Sequence, residues 1–420
     1  MAESIAHLVG FGTRHTLSDA TSPTRGIGAA RTWIKAQLDA IAAASGRTGA
    51  EAMEVSFDRH VQKADGKRVP TDTEIVDVMA VLPGSLPAAR DRRYYVVGHY
   101  DSRVTDVMDA TSAAPGANDD ASGVAVVLEL AILSRAHLES TVVFLATAGE
   151  EQGLYGAKLH AEEARARGWD VRGVLNDDIV GDPSPVLGTA PHDRAIRVFS
   201  EGIPLYPPEA ADAGAIAEIR KLAAENDSPS RELARFVADV AAEEATRIQP
   251  VLVFRADRFL RGGDQIAFAE VGYPALRFTT VEEHYDRQHQ TLRTDDAGTR
   301  LGDLPEHVDA RYLAGVAELE AAVLVHLAQA PSAPANVRVI TADLASDTLL
   351  RWSPSPEPDV AGYEVVWRAT TSATWEHAVD AGSATELRVP INKDDVLFGV
   401  RAYDRDGWQS PATFAKALPR

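Results

Sequence analysis

Five short stretches of the chain combine carboxylates and imidazoles in a pattern that could hold two metal ions: HYDS at 99–102, GANDDASG at 116–123, AGEEQG at 148–153, LNDDIVGD at 175–182 and YDRQHQTLRTDD at 285–296. A two-metal hydrolytic site needs hard or borderline ligands on a rigid frame. It also needs one carboxylate able to bridge ions about 3.5–4 Å apart, and a base within reach of water. His99 stands where an apolar strand meets a loop, and Asp101, two residues on, could accept the proton of its other ring nitrogen. Asp119 and Asp120 sit in a glycine-flanked turn before an apolar helix, where Asp120 reads as the helix cap and Asp119 as a ligand. Glu150 and Glu151 follow a third apolar run directly. Alternating side-chain directions would there give one the task of ligand and the other that of general base. Asp177 and Asp178 end the next strand, and one of them suffices as a ligand. For the last imidazole the residues themselves leave His284 and His289 both open, while His160 and His326, on predicted helices, read as surface residues.

These residues need a frame, and the periodicity of the chain supplies one. Residues 26–44 have helical apolar spacing, and EAMEVSFD and EIVDVMAVLPG read as strands. RRYYVVGHYDS, TVVFLATAGEE and VRGVLNDDIVGD are buried strands running into His99, Glu150 and Asp178. Helices SGVAVVLELAILSRA and YGAKLHAEEARARG lie between them. This alternation predicts an α/β fold with a mostly parallel sheet covered by helices on both faces, in which ligands bind beyond the carboxyl ends of the strands. Residues 203–250 interrupt the pattern with the Pro-rich IPLYPPEAADAG and the helical SRELARFVADVAAEEA. They read as an excursion that caps the sheet and shapes the substrate cleft. VLVFRADRFLRGGDQIAF and GYPALRFTT resume the sheet, and RYLAGVAELEAAVLVHLAQA closes it.

The linker APSAPA at 330–335 divides the chain into predicted domains 1–331 and 332–420. The second domain has short alternating strands separated by Pro and Gly turns, as in a small antiparallel sandwich, with Trp352 and Tyr363 as core aromatics.

Composition narrows the function. A formal charge of -20 without any basic cluster argues against nucleic acid as a partner; the acidity reads first as a matter of solubility, and second as a field favouring cationic substrates such as peptides with a free amino end. Zero cysteines exclude disulfides and thiolate metal sites, so a metal here must use His, Asp or Glu. No apolar run is long enough to span a bilayer, and MAESIAHLVGFG lacks a basic stretch followed by an apolar one.

Over residues 5–328 the chain resembles the co-catalytic two-zinc aminopeptidases of the bacterial secreted leucyl type, relatives of glutamate carboxypeptidase and glutaminyl cyclase. The family patterns GHxDS, GxNDxxSG, GxEExG and LNxDMxG are met in order by GHYDS, GANDDASG, AGEEQG and LNDDIVGD. The resemblance implies a zinc exopeptidase fold and two Zn2+ ions, one held by His99 and Asp178, the other by Glu151 and His289, with Asp119 bridging. It makes Glu150 the general base that takes the proton of the attacking water, Asp101 the group orienting His99, and the Asp119–Asp120 peptide cis. It favours His289 over His284, because QHQTLRTDD matches the family's His followed by Thr and Asp. Two departures stand out: Gln265 replaces a usual His, and Gln288 occupies the place of an oxyanion-stabilising Tyr found in some relatives.

The implied activity is hydrolysis of the N-terminal residue of peptides. A carboxypeptidase or glutaminyl cyclase is the alternative on the same fold, and a non-catalytic binding protein the alternative of another class. The C-terminal region resembles a fibronectin type III domain and is open to readings as a surface- or polysaccharide-binding module, a substrate-access wall or a spacer. Such modules on exported bacterial enzymes imply a secreted or periplasmic location.

Overall fold

The computed structural model describes residues 1–188, 190–203, 205, 211–342 and 345–417. Eight strands form one sheet: β1 (Glu54–Gln62), β2 (Thr73–Leu82), β3 (Arg92–His99), β4 (Thr141–Thr147), β5 (Asp170–Asp177), β6 (Ala195–Ser200), β7 (Gln249–Val253) and β8 (Ala275–Thr279). Their spatial order is β1-β2-β4-β3-β5-β8-β6-β7. The central strands β4, β3, β5 and β8 are mutually parallel, and the outer pairings β1–β2, β2–β4 and β8–β6 are antiparallel. The sheet is therefore mixed, with its parallel part where strand and helix alternate in the sequence.

Helices α1 (Ala2–Gly10), α2 (Gly26–Ala44), α3 (Ala121–Leu130), α4 (Glu150–Gly153), α5 (Tyr155–Ala166), α6 (Ala211–Leu222), α7 (Pro229–Glu243), α8 (Asp264–Glu270) and α9 (Ala310–Gln329) surround it. The period of two along β3 sends successive side chains to opposite layers. Val96 belongs to the buried cluster that holds Val124 of α3 and Leu324 of α9, whereas Tyr95 and Val97 belong to the one that holds Ala157 and Ala161 of α5 and Phe268 of α8. Both faces of β3 are thus buried, which is why the segment reads as a continuous apolar run. His160, expected at the surface, is buried because its Nδ1 lies 2.6 Å from Asp58 Oδ2 and its Nε2 3.3 Å from Tyr95 Oη. His326 is buried likewise, paired with Glu244 at 2.9 Å and edge-on to the Trp408 ring at 4.8 Å.

The expectation that 203–250 shapes the substrate cleft is not met by its described residues, none of which lines it. Ser200 of β6 is level with Leu276 near the start of β8, so the antiparallel β6 delivers the chain to the sheet edge opposite Asp178. Helices α6 and α7 follow there, although residues 204 and 206–210 of the Pro-rich piece lie outside the described residues. They border a cavity of about 400 Å³ between the two parts of the chain, lined by Tyr94, Leu222, Leu233 and Phe414 among others.

Beyond α9 the chain forms two four-stranded sheets. Ala335–Ile340, Thr348–Ser353, Glu386–Val389 and Lys416–Ala417 make one; Val360–Ala369, His377–Gly382, Val396–Asp404 and Thr413–Phe414 make the other. All pairings are antiparallel except that of Ala335–Ile340 with Lys416–Ala417. Trp352 and Tyr363 meet edge-to-face at 5.8 Å in the core between the sheets.

The 330–335 connection is not a free linker: Ser332 is hydrogen-bonded to Glu357, and Ser355 to the Ser332 carbonyl. Arg92, at the start of β3, reaches across to Glu357 at 2.9 Å and also holds the Ala330 carbonyl and Ser140. A second clasp joins Arg368 to Asp227 at 2.6 Å, and Trp375 donates to Glu232. Removing one partner of a buried pair strands the other charge, at a cost of roughly 3–5 kcal/mol. Arg92→Ala is therefore expected to move the urea midpoint of the C-terminal part clearly downward, followed by tryptophan fluorescence. An unchanged midpoint would show that the clasp carries no stability.

Candidate metal centre

The backbone around the strand ends explains how the acids come together. A Cβ on Gly98 would stand 2.8 Å from the Gly123 carbonyl carbon, and one on Gly123 would strike the Asp120 carboxylate. The two glycines thus let the start of α3 press against the end of β3. Asp120 fastens that contact: its carboxylate accepts from the backbone N–H of His99, Gly123 and Ile179, capping α3 while tying together the ends of β3 and β5. The peptide between Asp119 and Asp120 is cis.

Asp119 points one oxygen at each of two imidazoles. Its Oδ1 lies 3.1 Å from His99 Nε2, and its Oδ2 lies 2.8 Å from His289 Nε2. Asp178 Oδ1 stands 4.0 Å from His99 Nε2, and Glu151 Oε1 3.1 Å from His289 Nε2. Two triads result, His99–Asp119–Asp178 and Asp119–Glu151–His289, sharing Asp119. His284, the competing imidazole, lies elsewhere, with its Nε2 2.8 Å from Ser184 Oγ.

A divalent ion fits these residues. Zinc bonds of about 2.0–2.1 Å set tetrahedrally separate ligand atoms by about 3.3 Å, close to the distances from Asp119 and Glu151 to the imidazoles, with Asp178 farther out at 4.0 Å. His99 Nε2 and Glu151 Oε1 are buried and have no hydrogen-bond partner despite these close approaches. A buried polar atom left unpaired is costly, and a cation would satisfy both. The electrostatics agree. Burial pushes Glu150 well above the usual carboxylate range, reinforced by Asp178 and Glu151, and burial likewise raises Asp178 against the pull of Arg277. Burial opposes the charge on His289 too, yet Glu151 and Asp119 raise it to about 10.

Glu150 and Glu151 do not alternate along a strand as expected. β4 stops at Thr147, Gly149 turns at φ +75°, and both glutamates occupy the first turn of α4. Asp101 holds that turn, accepting from the N–H of Glu150 at 3.3 Å and of Glu151 at 3.2 Å, and from Thr16 Oγ1 at 2.9 Å. His99 Nδ1 is nearer the Asp101 carbonyl, at 3.2 Å, than its carboxylate, at 3.5 Å. Asp101 thus positions both the imidazole and the glutamate pair. The acids, His289 and Ile179 line a cleft of about 270 Å³ together with Arg68, Arg103, Arg258 and Arg261; none of the residues 203–250 reaches it among the described residues.

Sequence reasoning missed several contributors. Asp303 accepts from the N–H of Asn118 and Asp119, both at 2.8 Å, and so fixes the turn presenting Asp119. Arg277, buried, pairs with Asp178 at 3.0 Å. Arg103 donates to His289 Nδ1 at 2.8 Å and pairs with Glu151 Oε2 at 3.1 Å. Asp264 accepts a hydrogen bond from Thr147 Oγ1. Gln265, in the place of the usual His, donates to Asp257, and Gln288 donates to Glu283. The one available signal was the density of arginines in RADRFLRGGD, which no local pattern ties to a metal site.

The sequence profile of Peptidase family M28 matches residues 77–301. A probable zinc metalloprotease of Leptosphaeria maculans is 46% identical over 412 residues, covering 98% of this chain and 92% of the relative. The chain belongs to peptidase family M28. Among solved structures, the fold of this M28 peptidase is similar to the LapA aminopeptidase of Legionella pneumophila, with a TM-score of 0.52 at 16% identity over 78% of this chain and 70% of that one. It is equally similar to the glutaminyl cyclase of Porphyromonas gingivalis, with a TM-score of 0.51 at 18% identity over 77% of this chain and 97% of that one. Those two likenesses concern the fold. The coarse activity of this M28 member is that of a zinc metalloprotease.

Proposed function

We propose that this M28 peptidase is an aminopeptidase using two zinc ions to release the N-terminal residue of peptides. The observation that carries the reading is the pair of triads sharing Asp119, one oxygen toward each imidazole, with Glu150 beside them in the same cleft. His99 and Asp178 would hold one ion, Glu151 and His289 the other, and Asp119 both. Bound zinc supplies Lewis-acid activation of the scissile carbonyl and of water.

The protein's own groups do the rest. Glu150 accepts the proton of the attacking water and returns it to the departing amine, a role suited to a carboxylate whose basicity burial has raised. Asp101 keeps Glu150 and His99 in register, and Arg277 holds Asp178 toward the centre. A cleft of about 270 Å³ is commensurate with a terminal residue more than with a long chain segment. Among the described residues the C-terminal part lines none of it, and it is clasped at the opposite end of the sheet, where Arg92 opens β3. Within this proposal it is a fibronectin type III-like module for a surface or polysaccharide, on an enzyme acting outside the cytoplasm.

Hydrolysis of a panel of aminoacyl-anilides and carboxyl-terminal substrates, with chelator and after zinc is restored, tests the reading. Release of amino-terminal residues, lost on chelation and recovered with zinc, is expected. Cleavage confined to carboxyl-terminal substrates, cyclisation of N-terminal glutamine, or indifference to chelator would each sink it.

A further inference from the structure

The chain is acidic overall, yet its cleft is ringed by arginine. Arg68, Arg103, Arg258 and Arg261 line it, from loops widely separated in the sequence, against the four acids Asp119, Glu150, Glu151 and Asp178. With zinc bound as proposed above, those four acids face the ions, and the arginines are the cationic side chains left on the cleft lining. Exposed charges elsewhere on the acidic surface count for less, because salt screens them over about 8 Å at physiological ionic strength.

Not all four arginines are free to meet a substrate. Arg103 is committed to Glu151 and His289. Arg258 is nearly buried and spends its donors on Asp257, Glu283 and the Gly262 carbonyl. Glu283 is itself shared by Arg197, Arg258 and Arg261, three guanidinium groups on one carboxylate, and with Arg277 they hold it down to about 2 against the burial that would raise it. Arg261 gives Glu283 a single bond at 3.1 Å, is 30% exposed and lies over the Tyr285 ring. Arg68 is exposed and gives one bond, at 2.7 Å, to the Glu151 carbonyl. Each therefore keeps a face of its planar fork for a partner, and the partner such a fork matches is a carboxylate.

We infer that Arg68 and Arg261 form a carboxylate-recognising subsite beside the metal centre, so that the favoured substrates carry a carboxylate close to the scissile bond. This rests on the zinc peptidase reading of the site and refines it. The carboxylate has two sources: an acidic side chain on the terminal residue, or the free carboxyl end of a very short peptide. The whole chain is acidic, but the arginines on the cleft lining favour an anionic partner.

The test uses the zinc-replete full chain in two arms. Glutamyl-anilide is compared with glutaminyl-anilide, and a dipeptide with its C-terminal amide. At least a tenfold higher kcat/KM for the carboxylate form in one arm is expected, and the arm names the source. Arg261→Met and Arg68→Met should erase most of that preference by raising KM for the anionic substrate alone, while Arg68→Lys retains part of it.

Calorimetric binding of glutamate against glutamine, and of leucine against leucinamide, asks the same without turnover. A preference for the carboxylate form that Arg261→Met abolishes, in a protein that cleaves no anilide or dipeptide, keeps the subsite and sinks the aminopeptidase reading. Equal handling of charged and neutral partners in both measurements, or equal losses on both in the arginine variants, overturns the subsite.

Discussion

Glu150→Gln is expected to lower kcat by about 10²–10⁴-fold, the span typical of a positioned general acid–base group, while zinc content stays at the wild-type level. That loss corresponds to roughly 3–5 kcal/mol of transition-state stabilisation. The separation of the two readouts follows from geometry. Glu150 lines the cleft but belongs to neither triad, and its backbone N–H is anchored by Asp101 whatever its side chain. Gln preserves shape and polarity and removes only the capacity to hold the water's proton. Metal analysis and steady-state kinetics on one preparation decide the matter. Wild-type turnover in the variant would remove Glu150 from the reaction, and loss of zinc would make it a ligand.

Asp119→Ala carries the second large effect. Every other ligand candidate belongs to one triad, but Asp119 belongs to both, giving Oδ1 to the His99 side and Oδ2 to the His289 side. Disturbing a residue that merely supports a metal ligand costs about 10–100-fold in affinity, so removing the shared ligand should cost more than that at both positions. Asp119→Ala is then expected to purify with little zinc and no detectable peptidase activity, whereas His289→Ala keeps one ion per chain. Zinc per chain, measured by atomic emission after extensive dialysis, distinguishes the two. Equal retention by both variants would deny that Asp119 is shared.

Much of the site was legible in the chain because its central parts are local. His99 with Asp101, Asp119 with Asp120, and Glu150 with Glu151 are each set at the end of an apolar run, and a strand that is buried on both faces announces its own end. Parallel neighbours then bring those ends to one edge without further instruction. The helix over 26–44 and the cap at Asp120 were equally readable, since apolar period and capping chemistry act within a few residues. The choice of His289 over His284 was of another kind, for it came from family resemblance; the residues alone left both open.

What the tertiary structure decided depends on chain direction and on contacts between distant segments. The antiparallel turn of β6 sent helices α6 and α7 away from the cleft, and no composition signal encodes which edge a strand exits. His160 and His326 are buried by acids far from them in sequence, Asp58 and Glu244. Asp303 fixes the Asp119 turn, and Arg277 holds Asp178, from elements whose own patterns are silent about metal. The sequence by itself determined the sheet and the acids and imidazole at its strand ends, because those rest on short-range periodicity, while family and ligand roles came from motif resemblance. Only the folded chain decided that arginines from separate loops close the cleft and that the C-terminal part is clasped in place. Long-range charge pairing leaves no periodic trace in a sequence.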